Sequence, residues 1–334
     1  KTKIKDKEMK REDGLSVFRK QKKEYDVLVV GGGATGLGVA VDAAARGYKV
    51  ALCEQHDYTK GTSSRSTKLV HGGVRYLAQG DVRLVVEALR ERGRMRRNVP
   101  HLVRDMRFII GAYRWWERAF YTTGLIAYDV LAGSLGLGRS LPMSARAVKK
   151  ELPGLKRSGL RGGIVYHDGQ FDDSRLGITL LKTAQDHGAD CLNYFRVESF
   201  LKTNDKISGV VAKDMFTGET FEIKSKVVIN ATGVFVDEIM KMDNEQASNK
   251  VKPSQGVHIV VDSKFFEGDS ALMVPKTMDG RVLFGVPWHG KVVLGTTDTP
   301  LDSHSLEPKA LDEEVDFILD QAGQYLDMKP TRKD

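Results

Sequence analysis

A few residue types at telling spacings carry the chemistry this chain could do. Gly31, Gly33 and Gly36 stand in a G-x-G-x-x-G spacing, and His258 sits in an alternating apolar stretch. Thr62, Ser63, Ser64, Ser66, Lys68 and His71 crowd hydroxyls, a cation and an imidazole into one loop that runs on to Arg75 and Tyr76. Glycines so spaced let backbone N–H groups and a helix N-terminus face a pyrophosphate. An imidazole of near-neutral pKa is the natural acceptor of a hydroxyl proton, and a guanidinium offers phosphate a planar pair of donors. Each also has a plainer reading: a lone strand histidine is more often a hydrogen-bonded core residue, an arginine an ordinary surface residue, and a small polar loop a linker.

Local elements must hold these residues in place. Residues 25–30 read as a short buried strand and 34–46 as a helix, so the glycines occupy the turn between them. Gly31 permits the tight turn, Gly33 lets phosphate approach the backbone, and Gly36 lets helix and strand pack closely. The second strand, 49–53, ends at Glu54, at the spacing where a carboxylate meets a ribose hydroxyl. A bound dinucleotide is predicted, without a choice between NAD and FAD.

At 334 residues the chain can hold two domains, since single cores stop growing at roughly 250 to 300 residues. Cys53 and Cys191 are its only cysteines, which leaves no disulfide framework. The net charge of +8 is localised: 1–24 carries +5, 90–118 carries +6, and the remainder is −3. No helix-turn-helix, zinc or RNA-binding motif accompanies either cluster, so neither nucleic acid nor a metal site is expected. The lysine-rich start reads as a solvated tail rather than a transit peptide; a trimmed start is compatible with Lys1. No run of roughly 18 uncharged apolar residues occurs, since Asp129 interrupts 121–138. The stretch 90–121 mixes arginines with Trp115, Trp116, Phe120 and Tyr121. That mixture suits a surface resting on anionic lipid headgroups, or equally a helix packing its aromatics inward behind a solvated arginine face.

Helices are predicted over 82–97 and 115–131, with a short one between Pro142 and Pro153. From 173 the pattern becomes a helix to 187, a strand at 191–195, and a meander through 197–201, 207–214 and 220–224. A separate strand at 227–230 then runs into Ala231-Thr232-Gly233, small residues at a strand end beside a dinucleotide. A meander of this kind points to a flavin-type domain. Short strands follow at 256–262, 271–276, 281–288 and 291–296, with hairpin signals at Asp279-Gly280 and His289-Gly290, and a last helix at 311–326.

With these pieces in place the chain resembles the FAD-dependent glycerol-3-phosphate dehydrogenases, most closely the mitochondrial form. The residues that carry the resemblance are VVGGGATGLGVAVDAAARG, GTSSRSTKLVHGGVRYL, VYHDGQFDDSR, VINATG, PSQGVHIVVD and GTTDTP, in order between Tyr25 and Pro300. It implies an α/β Rossmann-like FAD-binding domain with a β-meander and an inserted antiparallel-sheet substrate domain. The expected division is a tail at 1–24, an FAD domain at 25–98 and 160–240, a cap at 99–159 and 241–300, and a C-terminal helix at 301–334. The cofactor would be FAD, held by Gly31, Gly33, Gly36, Glu54, Thr62, Ser63, Ser64, Ser66, Lys68, His71, Val197, Ala231 and Gly233. Thr62, Ser63 and Ser64 would serve its phosphate or ribityl chain, with Ser66, Lys68 and His71 following toward the isoalloxazine.

The implied reaction is oxidation of sn-glycerol 3-phosphate to dihydroxyacetone phosphate, with His258 as base and Arg75 and Tyr76 at the phosphate end. Electrons would pass to quinone, at the surface of the mitochondrial inner membrane or of a bacterial cytoplasmic membrane. Two departures bear on this. Leu37 stands where the family fingerprint has a smaller residue, and the chain stops at Asp334, before family segments that supply a further arginine and lysine. A glycerophosphate oxidase using oxygen stands as a close alternative, and the absence of the later arginine and lysine leaves a non-catalytic flavin-binding fragment as another.

Overall fold

The computed structural model describes residues 11–20, 24–278 and 280–334. The chain divides into two compact units, one running to Ser66 and including Asp173–Pro253 and Asp302–Leu306, the other made of Thr67–Asp172, Ser254–Leu301 and Glu307–Asp334. The first unit opens with α1 (Arg11–Arg19), β1 (Tyr25–Val30), α2 (Ala34–Ala45) and β2 (Val50–Cys53). The second then takes β3 (Leu69–Val70), α3 (Val74–Ala78), α4 (Val82–Asn98), β4 (Val103–Ala112), α5 (Glu117–Ala132), β5 (Leu141–Met143), α6 (Ala145–Glu151) and β6 (Gly162–Phe171). The first resumes with α7 (Asp173–Asp186), β7 (Asp190–Leu192), β8 (Phe195–Thr203), β9 (Lys206–Asp214), β10 (Thr220–Asn230) and α8 (Val236–Asp243). The second ends with β11 (Ser254–Gln255), β12 (His258–Asp262), β13 (Ala271–Val274), β14 (Leu283–Trp288), β15 (Lys291–Gly295), β16 (Thr299–Pro300) and α9 (Asp312–Tyr325).

The first unit is a six-stranded sheet in the order β7-β2-β1-β10-β9-β8. Strands β7, β2, β1 and the end of β10 run parallel. Strands buried on both faces read as continuous apolar runs, and β1 does so: Leu28 and Val30 join Leu15, Phe18 and Ile239 in one core, while Val29 joins Leu37, Ala40 and Ala184 in the other. The two strands expected at 220–224 and 227–230 are one. Strand β10 pairs antiparallel with β9 over its first half and parallel with β1 over its second, so the meander and the parallel sheet share a single strand.

The solvated-tail expectation fails for Arg11–Arg19. Leu15 and Phe18, three residues apart on one helix face, are buried, and Phe18 packs on Tyr25 and Phe195. Arg11 donates to Asn193 O at 2.7 Å, to Tyr194 O at 3.2 Å and to the buried Asp214 carboxylate. The rest of that expectation, residues 1–10 and 21–23, lies outside the described residues, as does Asp279 of the first hairpin signal.

The second unit is an eight-stranded sheet ordered β12-β15-β14-β13-β4-β6-β3, with β5 on β6. Its spine is β4 against β6, antiparallel from Val103 opposite Phe171 to Ala112 opposite Gly162; sequence patterning predicts neither strand. His289 and Gly290, both at positive φ, turn β14 into β15 as hairpin turns of this type require. The units change at Ser66/Thr67 rather than near 98, because β3 pairs with β6. Residues 160–172 likewise join the second unit through β6, and α9 joins it through Ile318 and Ala322. No helix among the described residues is long and apolar enough to cross a membrane.

Candidate functional site

The glycine turn is sterically committed. Gly31 has φ +108°, and a Cβ there would lie 2.5 Å from Ala231 O. A Cβ on Gly36 would lie 1.9 Å from Gly31 O, which is why α2 can start so close to β1. Gly33 caps α2 without a side chain, and the Ser63 hydroxyl accepts from Ala34 N–H at 2.9 Å. Glu54 holds the turn from the other side. Its carboxylate accepts from Gly32 N–H at 2.6 Å and His56 N–H at 2.7 Å, tying the β1–α2 turn to the end of β2.

A cavity of about 840 Å³ opens over this turn, within the range of small-molecule sites. Gly31 and Gly33 from the turn, Glu54 after β2, Thr62 and Ser63 from a 3-10 turn, Val197 from β8, and Ala231 and Gly233 after β10 all line it. Gly36 lies beneath. Ser64 completes the 3-10 turn without lining the cavity, and Ser66 Oγ donates to Asp173 at 2.7 Å. Arg65 is exposed and donates to Leu306 O at 2.8 Å. Sequence reading missed Arg196 and Glu198, which flank Val197 on β8, and Met242, Val251 and Leu306. The first two were within reach, being neighbours of a chosen residue; Met242 lies on α8, a helix the sequence reading did not mark, and Val251 and Leu306 come from segments outside helices and strands. Burial pushes the Cys53 thiol far above its ordinary value, so this wall residue stays uncharged.

The remaining candidates belong to the second unit. His258 lies on β12 opposite Gly295, sharing its face with the exposed Val260 while Val257 and Val261 point into the core. Its Nε2 is 2.8 Å from Thr67 Oγ1. Burial, then the charge of Lys68, hold its pKa below the ordinary imidazole value. His71 Nδ1 accepts from Gly73 N–H at 3.0 Å, which leaves the proton of the neutral ring on Nε2. Arg75 on α3 stands 5.2 Å over the Tyr76 ring and 3.4 Å from its hydroxyl. Under this turn, Gly72 N–H donates to Asp168 at 3.2 Å, and the buried Asp168 pairs with Arg92 at 2.7 Å and accepts from Tyr128 at 2.9 Å. The polar run 61–77 is thus shared: through Ser66 it serves the first unit, from Thr67 the second.

A model of the FAD-dependent oxidoreductases (DAO) matches residues 26–333. The chain belongs to the FAD-dependent oxidoreductase family. FAD is the cofactor of this family, and the cavity fits it: a helix N-terminus, a glycine cradle that a Cβ would fill, and an acid at the end of β2 converge on one space. The mitochondrial glycerol-3-phosphate dehydrogenase of Homo sapiens is 43% identical over 317 residues, covering 91% of this chain and 43% of its own. The glycerol-3-phosphate dehydrogenase of Bacillus halodurans, solved with FAD, superposes with TM-score 0.79 at 33% identity, over 97% of this chain and 57% of that one. The L-alpha-glycerophosphate oxidase of Mycoplasma pneumoniae, at 18% identity and TM-score 0.69 over 91% of this chain and 79% of its own, shares the fold. The chain spans about half the length of the dehydrogenases it matches.

Proposed function

We propose that this FAD-dependent oxidoreductase oxidises sn-glycerol 3-phosphate to dihydroxyacetone phosphate and that the electrons leave to a quinone. The relatives' names supply the substrate; the observation in this chain that carries the reading is His258, a half-buried imidazole kept neutral and tied to Thr67. The chemistry bound FAD supplies is acceptance of the hydride from the carbinol carbon. His258 takes the hydroxyl proton in the same reaction. An imidazole nitrogen has one hydrogen-bonding direction, so Thr67 holds the ring at Nε2 until the substrate hydroxyl takes its place as the donor. Arg75 presents two parallel donors to the phosphate, with Tyr76 beneath fixing the guanidinium plane. Lys68 and His71 serve the flavin end.

The test is anaerobic addition of glycerol 3-phosphate to the purified yellow protein. Bleaching of the flavin spectrum supports the reading, and an unchanged spectrum favours a flavin-binding role without catalysis. Faster re-oxidation by a quinone analogue than by oxygen supports the dehydrogenase over the oxidase.

The human relative's name supports a mitochondrial setting, and α5 supports a peripheral membrane contact. Trp115 is 82% exposed, Phe120 63% and Val130 74%, so these residues do not pack inward. Tyr121 does, against the core of the second unit.

A further inference from the structure

Glu314, in the first turn of α9, is a buried carboxylate, 4% exposed, that the reaction above does not use. Four neutral donors satisfy it. Thr297 Oγ1 at 3.0 Å and Thr299 Oγ1 at 2.7 Å donate to Oε1; Gln255 Nε2 at 2.7 Å and Leu311 N–H at 2.9 Å donate to Oε2. Burial pushes its pKa up, but these hydrogen bonds outweigh burial and hold the carboxyl below its usual range. A carboxylate accepts only, so all four donors can point at it together.

The donors are not scattered. Gln255 and Thr299 face each other across the β11–β16 ladder, and Thr297 lies in the loop between β15 and β16. The Thr297 hydroxyl that donates to Glu314 also accepts from Val257 N–H at 3.0 Å, and Val257 is the residue before His258. Across the ladder, a Cβ on Gly295 would come within 2.6 Å of His258 Cδ2, so the ring packs against the end of β15, two residues before Thr297. A shift of the Thr297 loop therefore moves both the backbone that carries the imidazole and the surface it rests on.

We propose that Glu314 is a positioning residue for His258: through Thr297 it fixes the start of β12 and thereby the orientation of the imidazole toward Thr67. The catalytic meaning rests on the role of His258 proposed above, whereas the geometry can be tested without turnover. Glu314→Gln turns one oxygen into an NH2 group that faces two donors, and Thr297→Val removes the relay hydroxyl at nearly constant volume while leaving Glu314 three donors.

The experiment follows the His258 ring nitrogens by NMR in the FAD-loaded chain, assigned with His258→Gln, together with hydrogen exchange at Val257 N–H. In both variants Val257 should exchange at least about tenfold faster. The His258 titration should rise by about half a pH unit or more as the loosened ring gains water and moves from Lys68. Folded Thr297→Val protein with wild-type exchange and an unmoved titration overturns the proposal, even if Glu314→Gln fails to fold. In the active enzyme kcat should fall more than KM rises; equal effects on both, with an unmoved titration, also overturn it. Failure of the wild type to bleach with glycerol 3-phosphate would remove the proposed function and leave the NMR result standing.

Discussion

His258 Nε2 and Thr67 Oγ1 lie 2.8 Å apart although 191 residues separate them in the chain. The hydroxyl comes from the polar run that the sequence marks as functional, the imidazole from a strand of the second sheet. One hydrogen bond thus sets the ring plane of the candidate base and draws together two motifs that neither spacing nor periodicity relates.

The protonation of this pair has a definite sign. Burial and Lys68 lower the His258 pKa from its ordinary 6.5, so the imidazole is neutral at pH 7 and the acid limb of kcat/KM should fall below 6.5. Replacing Lys68 by Met at saturating FAD should move that limb up. His258→Gln should lower kcat by about 10²- to 10⁴-fold while leaving FAD bound. The stability that neutral His258 contributes is fully present above the unfolded value and is lost as pH falls through the folded one. A limb above 6.5, or full activity of the glutamine variant, would exclude His258 as the base.

Gly31 of the fingerprint and Gly38 beyond it should respond in opposite senses to alanine. Gly31 sits at φ +108° with Ala231 O in the space a Cβ needs, whereas Gly38, in the body of α2, has nothing within 4 Å of its virtual Cβ. Gly31→Ala should cost on the order of 1–3 kcal/mol and displace the turn against which FAD binds. Gly38→Ala should stabilise by about 0.5–1 kcal/mol through helix propensity. Thermal melts and flavin content of the two proteins check this; equal destabilisation by both would show that the turn is not the constraint.

The sequence made the first unit legible and left much of the second hidden, for a physical reason. Strands β1 and β2 are buried on both faces and read as apolar runs, and the turn between them needs glycine, so composition records the structure directly. Strand β4 carries Arg104, Asp105 and Arg107, and β6 is broken by Gly162, Gly163 and Gly169, so neither shows an alternating period. What specifies them is their mutual pairing across ten residues each, which no local window contains. Helix α1 was hidden by its charges: nothing in the spacing of lysines shows that Leu15 and Phe18 have an apolar surface waiting. In the site, Glu54 and Ser63 were visible through the motif they belong to, whereas Glu314 was not, because its donors come from three separate segments.

Beneath the turn that carries His71, the Arg92–Asp168 pair is 1% and 2% exposed. Removing one partner strands the other as a buried charge, a cost of about 3–5 kcal/mol. Asp168→Ala should therefore lower stability by that amount in urea titration and release the Gly72 N–H. Tyr128→Phe removes one hydrogen bond to Asp168 and should cost about 1–3 kcal/mol. A small effect of Asp168→Ala, comparable with that of the tyrosine variant, would mean that water reaches the pair.

Helix α5 presents Phe120, Ile126 and Val130 to solvent, with Trp115 and Trp116 exposed just before it, and Arg114 and Arg118 stand exposed near its start. The apolar side chains can partition into the headgroup boundary while the arginines meet anionic lipid, and the two contributions separate by salt. Charge attraction is screened over about 10 Å at 0.1 M salt, whereas burial of apolar surface is not weakened in this way. Binding to vesicles containing anionic phospholipid should therefore weaken with salt to a plateau rather than to zero. The triple replacement Trp115→Ser, Phe120→Ser and Val130→Ser should remove the plateau but keep the salt-sensitive part, and Arg114→Gln with Arg118→Gln should do the reverse. At roughly 1.5–3 kcal/mol for a fully buried large apolar side chain, even partial insertion of three makes the triple variant at least about tenfold weaker in co-sedimentation. Unchanged binding of the triple variant would take the membrane contact away from α5.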